Sequence, residues 1–349
     1  MSASTAAPSV ALFAMGGTIA MSPTESGPVA PALSGDDLLA AVPGLGATGT
    51  TVTVHDFCRK PGASLGFADL YALAQRVDEE LAAGAAGVVV TQGTDTIEET
   101  SYCLDLLLAT SAPVIVTGAM RNPAMAGADG PANLLAAVRV AASPAARGLG
   151  CLVVMDDQVH AARFVRKCHT GSTAAFASPA HGPLGHVVED RVHLPVLLRR
   201  PSPTLRPDPG RRVRVGLTTI GLGDDGATVE ATGGQVDGLV VEAMGAGHVP
   251  EPLAPLLGAL AERIPVVLSS RTGAGPVHDH TYGFAGSETD LLARGLISAG
   301  WLGALKARVL VHLLLAAGAD HREIRDVVTA AGSADAGVGR GVGDGQAPR

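Results

Sequence analysis

Apolar residues along the chain fall into two alternating patterns. Val10–Ala14, Gly87–Thr91, Pro113–Thr117 and Leu152–Met155 are short, nearly continuous apolar runs, as expected of strands buried on both faces. Between them, Phe67–Ala82, Ile97–Ala109 and Ala132–Ala142 carry apolar residues at helical spacing. This alternation predicts a parallel sheet flanked by helices. It breaks at 199–212, RRPSPTLRPDPGRR, where four prolines and five arginines predict a linker. Beyond it come strands at Val213–Thr218, Gly238–Val241 and Pro265–Ser269 and a helix at Trp301–Ala317. The expected fold class is therefore α/β in two domains. A larger N-terminal domain of mostly parallel sheet spans 1–200, and a smaller C-terminal α/β domain spans 213–333. The segment 201–212 is the expected linker, and the Gly- and Asp-rich stretch 334–349 is an expected disordered tail.

Composition narrows the classes of function. With 47% hydrophobic and 17% charged residues, the chain is not a solvating or disordered one. Its longest strongly apolar stretch, Val309 to Ala319, is interrupted by His312 and too short to cross a bilayer. A net charge of −8 offers no basic face to nucleic acid. The four cysteines form no CxxC pair and no zinc spacing; Cys103 and Cys151 read as small core hydrophobes, and no disulfide framework is expected. The N-terminus has no basic n-region, so no signal peptide is read and the cytoplasm is the expected compartment.

Three segments carry candidate chemistry. Ala14-Met15-Gly16-Gly17-Thr18-Ile19-Ala20 ends the first strand, and open parallel sheets bind ligands at strand carboxyl ends. Paired glycines let the backbone turn sharply there and set the Thr18 hydroxyl at the rim. The plainer reading is a tight turn in which Thr18 bonds its own backbone. No GxGxxG accompanies it, which weakens a dinucleotide site. Val90-Thr91-Gln92-Gly93-Thr94-Asp95-Thr96-Ile97-Glu98-Glu99-Thr100 likewise joins a buried strand to a helix. Asp95 and Glu98 have the spacing of a capping box. Equally, the N–H groups that follow Gly93 suit an anion, and Asp95 suits a cation beside it, together matching an amino acid. The third segment is Arg163-Phe164-Val165-Arg166-Lys167. The chain has only three lysines, Lys60, Lys167 and Lys306. A lone lysine is ordinarily solvated, but beside a threonine and an aspartate an ammonium assists proton removal from a hydroxyl.

The first two segments closely resemble the two signature motifs of the L-asparaginases. The resemblance continues through Thr117-Gly118-Ala119-Met120-Arg121, Asp129-Gly130-Pro131-Ala132-Asn133, His181-Gly182-Pro183-Leu184-Gly185, Ser269-Ser270-Arg271, Tyr282-Gly283-Phe284 and Lys306-Ala307-Arg308-Val309-Leu310. It thus covers the chain from about Val10 to Ala330, in order. The resemblance implies hydrolysis of L-asparagine to L-aspartate and ammonia, with Thr18 as the nucleophile that forms an acyl-enzyme. It implies that Thr94, Asp95 and Lys167 handle protons and water, that Asp95 also grips the substrate ammonium, and that the Ala119 carbonyl accepts from the carboxamide. Gly93 contributes to the anion-binding turn. It further implies two α/β domains, a homotetramer or homodimer with sites where subunits meet, and no metal or organic cofactor.

Four positions depart from the family pattern. The loop Met21 to Ala32 carries Pro23, Pro28 and Pro31 but no tyrosine, where the family has a closing one. The serine that binds the α-carboxylate falls at Gly62, with Ser64 two positions on as a replacement. The neighbouring-subunit glutamate is missing from Val277-His278-Asp279-His280, where Asp279 is a candidate substitute. His248 falls near the family's neighbouring-subunit asparagine; His248, His278 and His280 also admit a metal reading. These positions grip substrate, so a mixed glutaminase-asparaginase and a catalytically silent amino-acid-binding protein remain alternatives. A subunit supplying ammonia for tRNA-linked amidation is a third, set against the short polar lead-in before Val10.

Overall fold

The computed structural model of the chain describes residues 7–23, 29–31, 33–198 and 204–333. It divides into two compact units. The first comprises residues to Leu198 together with Thr204–Val213 and Arg308–Gly318, and the second comprises Arg214–Ala307 and residues from Ala319 onward. No described helix is long and apolar enough to cross a membrane.

The first unit is built on an eight-stranded sheet. Its parallel part consists of β1 (Ser9–Ala14), β4 (Thr51–Asp56), β5 (Gly87–Thr91), β6 (Val114–Thr117) and β7 (Cys151–Met155), in the order β4-β1-β5-β6-β7. Beyond β7 the order continues antiparallel through β8 (Gln158–Ala161), β11 (Gly185–Val188) and β12 (Arg191–His193). Two small antiparallel pairs stand apart: β2 (Met21–Pro23) with β3 (Val29–Pro31), and β9 (Arg166–Lys167) with β10 (Phe176–Ala177). Every residue of β5, β6 and β7 is buried, which is why these strands read as continuous apolar runs rather than alternating ones.

Helices cover the sheet: α1 (Gly35–Ala40), α2 (Phe67–Ala82), α3 (Ile97–Leu107) and α4 (Gly130–Ala141). On one face Val10, Leu12, Val89, Ile115, Leu152 and Val154 pack with Leu134, Ala137 and Val138 of α4. Each such fully buried branched side chain stabilises the fold by about 1.5–3 kcal/mol before ordering entropy is counted. The second unit has a four-stranded parallel sheet, β13 (Val215–Thr219), β14 (Gly238–Ala243), β15 (Val266–Ser270) and β16 (Ile297–Ser298). With it go α5 (Ala227–Gly233), α6 (Leu253–Ala261), α7 (Glu288–Ala293) and α9 (His321–Gly332). Its core joins Leu239, Val241, Val266 and Leu268 to Val229, Leu253, Leu257 and Leu291.

Two segments fall differently from the sequence expectation. Of the expected linker, 201–203 lie outside the described residues, while Thr204–Val213 belongs with the first unit. There the Leu205 N–H donates to the Leu106 carbonyl at 2.8 Å, and the Arg206 guanidinium to the Leu107 carbonyl at 2.8 Å. These bonds hold the end of α3, so the segment has a structural job that its composition conceals. Helix α8 (Ala304–Ala316), expected in the second unit, belongs to the first from Arg308 onward. His312 on α8 stacks on Phe67 of α2, ring centroids 3.5 Å apart and planes within 7°. The expected tail, 334–349, lies outside the described residues.

Candidate active site

Strands β4, β1, β5 and β6 end level with one another: Asp56 pairs with Ala14, Ala14 with Thr91 and Thr91 with Thr117. The loops that follow therefore leave the sheet side by side at its carboxyl edge. Two main-chain bonds carry the ladder one step past the strands, from the Met15 N–H to the Thr91 carbonyl at 2.9 Å and from the Gln92 N–H to the Thr117 carbonyl at 3.1 Å.

Glycines then bring the loops closer than side chains permit. A Cβ on Gly17 would lie 2.1 Å from the Gly93 nitrogen, and one on Gly62 would lie 2.7 Å from the Gly93 carbonyl oxygen. A Cβ on Gly118 would lie 2.6 Å from the Gln92 carbonyl oxygen and 3.3 Å from Thr94 Cγ2. Thr18 and Thr94, each next in sequence to a glycine of this contact, consequently flank one spot. Ala119 reaches the same neighbourhood, because its methyl and the Ile19 side chain both lie against Gly130.

Buried polar side chains fix the loops. Gln92, fully buried, donates from Nε2 to the Gly93 carbonyl and to the Thr96 hydroxyl, each at 3.2 Å. The Thr96 hydroxyl donates in turn to the Gly62 carbonyl at 3.0 Å. On the other side, the Asp129 carboxylate accepts from the N–H groups of Met120 and Arg121, both at 2.9 Å. Asn133 Nδ2 donates to the Gly118 carbonyl at 3.0 Å and to Asp129 at 3.1 Å. The neighbouring Ala119 carbonyl accepts no hydrogen bond among the described residues.

Lys167 completes the cluster from β9. Its Nζ donates to Thr94 Oγ1 and Asp95 Oδ1, both at 2.9 Å. The lysine side chain is 19% exposed and the aspartate 63%, so the ammonium sits at the border of protein and solvent. Thr94 is buried and its hydroxyl is committed to that ammonium. Thr18 is half-buried and its hydroxyl makes no hydrogen bond among the described residues. One uncommitted hydroxyl beside one polarised by a cation is the arrangement a nucleophile and a proton carrier need. The backbone N–H groups that open the helical segment at Thr94 have no partner further back along it, and Gly93 at its N-cap makes no side-chain bond to them.

The expected capping box is not formed. The N-cap of α3 is Thr96, without a side-chain capping bond. Asp95 pairs instead with Lys167, and Glu98 accepts from the Lys167 backbone N–H at 3.3 Å. A full ammonium outcompetes a backbone N–H for the aspartate, since charge-assisted bonds are about twice as strong as neutral ones. Gly62 is in the glycine contact, whereas the exposed Ser64 hydroxyl bonds none of the site residues among the described residues. The loop expected to close over the site is described only in part, as β2 and β3.

His248 lies in the second unit. Its Nε2 is 3.2 Å from Glu288 Oε2, and its ring meets those of Tyr282 and Phe284 edge-on, at 4.8 and 5.0 Å. Glu288 has no solvent exposure. Burial pushes its carboxyl pKa up, but bonds from the N–H groups of Tyr282 and Thr281, at 2.7 and 3.0 Å, and from His248 bring it below the ordinary carboxylate range. His278 stacks on Tyr282 and His280 meets Asp279. No described set of three His, Cys, Asp or Glu side chains is placed to hold a metal ion. Sequence reasoning passed over Glu288, Gln92 and Thr96. The last two stood inside the second motif as polar residues beside a buried strand end, a signal that was there to be used.

The pattern described as "Asparaginase, N-terminal" matches residues 9–197, and that described as "Glutaminase/Asparaginase C-terminal domain" matches residues 214–328. The chain is 39% identical to a probable L-asparaginase of Deinococcus radiodurans, over 92% of this chain and 97% of that one. It is 35% identical to an L-asparaginase of Bacillus licheniformis, over 88% and 95%. It is 30% identical to L-asparaginase 2 of Escherichia coli, over 93% and 94%. The crystal structure of a probable cytoplasmic L-asparaginase from Campylobacter jejuni superposes with a TM-score of 0.79 at 30% identity, covering 92% of this chain and 99% of that one.

Proposed function

The chain belongs to the L-asparaginase family, and we propose on that basis that it hydrolyses L-asparagine to L-aspartate and ammonia through a threonine nucleophile. The observation that carries the assignment of roles is the Lys167 ammonium, shared between the Thr94 hydroxyl and the Asp95 carboxylate beside the Thr18 loop. The Thr18 oxygen attacks the side-chain carbonyl carbon. Its proton passes by way of the Thr94 hydroxyl and Lys167 Nζ to the Asp95 carboxylate, along the bonds that join them, and the developing oxyanion rests on backbone N–H groups at Thr18 and Thr94; one such donor typically contributes about 3–4 kcal/mol. The C–N bond then breaks and ammonia leaves with a proton, so Thr18 holds the aspartyl group as an ester. Water attacks the ester carbon while its proton passes by way of Thr94 and Lys167 to the Asp95 carboxylate; the C–O bond to Thr18 then breaks, and that proton returns to restore the Thr18 hydroxyl.

Substrate is gripped by its backbone ends. Asp95 takes the α-ammonium, and the turn at Gly62, Ser64 and Gly93 takes the α-carboxylate. The Ala119 carbonyl accepts from the carboxamide NH2. His248 enters from a second copy of the chain, which makes a homo-oligomer the working form. Neither metal nor organic cofactor has a step in this sequence. The Campylobacter jejuni relative is described as cytoplasmic, and we assign the same compartment.

The test is ammonia release by the purified protein with L-asparagine and L-glutamine side by side. Release from asparagine alone supports the reading, and equal rates turn it into a mixed glutaminase-asparaginase. Silence on both from a folded protein makes it an amino-acid-binding relative. Thr18→Ala and Thr94→Ala are each expected to lower kcat by at least about 10⁴-fold with melting temperature retained. Near-normal turnover in either variant would remove that threonine from the mechanism.

A further inference from the structure

We propose that Glu98 is a positioning residue for Lys167, fixing the backbone from which the catalytic ammonium hangs. This inference rests on the role given above to Lys167. Glu98 follows Thr94 by four residues and Asp95 by three, one helical turn further on and on the same side. It is 7% exposed, and burying a carboxylate is costly unless hydrogen bonds compensate. Its Oε2 accepts the Lys167 backbone N–H at 3.3 Å. One turn of chain thus holds the lysine at both ends: Thr94 and Asp95 take the ammonium, and Glu98 takes the main chain.

The lysine needs such an anchor because its own strand supplies little. β9 is two residues long and pairs with β10 through Phe176↔Lys167 and Ala177↔Arg166, with one further bond from the Cys168 N–H to the Ala175 carbonyl at 2.7 Å. A lysine side chain also brings about 2 kcal/mol of rotamer entropy. Two 2.9 Å bonds at Nζ hold the ammonium in place only if the Cα is held as well. Asp95 is 63% exposed and screened by solvent, whereas the Glu98 carboxylate works in drier surroundings, where hydrogen bonds are stronger. Helix capping does not account for Glu98, since the N-cap Thr96 makes no side-chain capping bond. Glu98 touches no reacting atom in this scheme and acts through Lys167.

The experiment is a double-mutant cycle on the full chain, reading kcat and KM for L-asparagine and the melting temperature. Glu98→Ala is expected to lower kcat by about 10²-fold, the effect of misplacing a catalytic group by roughly 1 Å, with KM changed less than about 2-fold. Glu98→Gln is expected to keep most of the activity, because the amide oxygen still accepts the N–H. In a Lys167→Met background, Glu98→Ala is expected to change kcat no further. If Glu98→Ala does not fold, Glu98→Asp takes its place, keeping the charge while withdrawing the carboxylate by one carbon. An equal loss on top of Lys167→Met overturns the proposal, as does full activity in both Glu98→Ala and Glu98→Asp. Wild-type turnover in Lys167→Met alone refutes the lysine's role and the anchor with it, an outcome visible before any Glu98 variant is made.

Discussion

Gly17 illustrates how much of the site depends on an atom that is not there. Its φ of 84° is in the left-handed region, and its missing Cβ lets the Gly93 backbone approach. Gly17→Ala is expected to lower stability by about 2–5 kcal/mol, combining backbone strain with overpacking, and to abolish turnover. Urea unfolding monitored by circular dichroism measures the first and ammonia release the second; an active, undiminished protein would refute the close approach. The residues that the structure gathers into the candidate site were legible in the sequence, because Thr18, Thr94 and Asp95 stand at strand-to-helix turns and lysines are scarce. It did not reveal that Asp95 and Glu98 both turn to Lys167 rather than to a helix cap. Their spacing is the same in either case, and only the arrival of a residue some seventy positions away decides between them.

Among the elements, strands buried on both faces and long amphipathic helices were the readable ones. β5 and α2 run from Gly87 to Thr91 and from Phe67 to Ala82, as their patterns predict. The short strands β11 and β12 alternate buried or half-buried with exposed residues over three or four positions, too few to separate from a loop. Strand β4, a half-exposed sheet edge of six residues, escaped because only Val52 and Val54 in it are apolar. Two elements also bury histidines. Burial, aided by His186, lowers the pKa of His160 on β8 to about 4, and burial aided by Arg308 does the same for His312 on α8. Both values lie below the 6.5 usual for the group, so the unfolded chain takes up protons first as pH falls. The stability these neutral rings provide is complete above pH 6.5 and is lost progressively down to about 4. Melting temperature is therefore expected to fall across that window, and a double His160→Gln, His312→Gln variant to show a flatter slope there. An equal slope in the variant would assign the acid sensitivity to other groups.

At the scale of the whole molecule, all four cysteines are free thiols. Cys168 is exposed, Cys103 and Cys151 are buried, and burial pushes the Cys58 and Cys103 thiols up from their ordinary pKa. A thiol reagent is expected to label Cys168 quickly in the native protein and to reach Cys103 and Cys151 only after unfolding, while a reductant leaves the melting temperature unchanged. Labelling of Cys103 as fast as Cys168 would contradict the packing of α3. The division into units has an effect in time as well as in space. The first unit includes Arg308–Gly318, which the ribosome makes only after all of Arg214–Ala307. At bacterial-to-eukaryotic translation speeds the wait amounts to roughly 5–20 seconds. Throughout it the nascent first unit carries a bare Phe67 whose stacking partner, His312, has not yet been translated. The growing chain thus spends that interval with an unfinished, adhesive surface, a span in which a chaperone has something to hold.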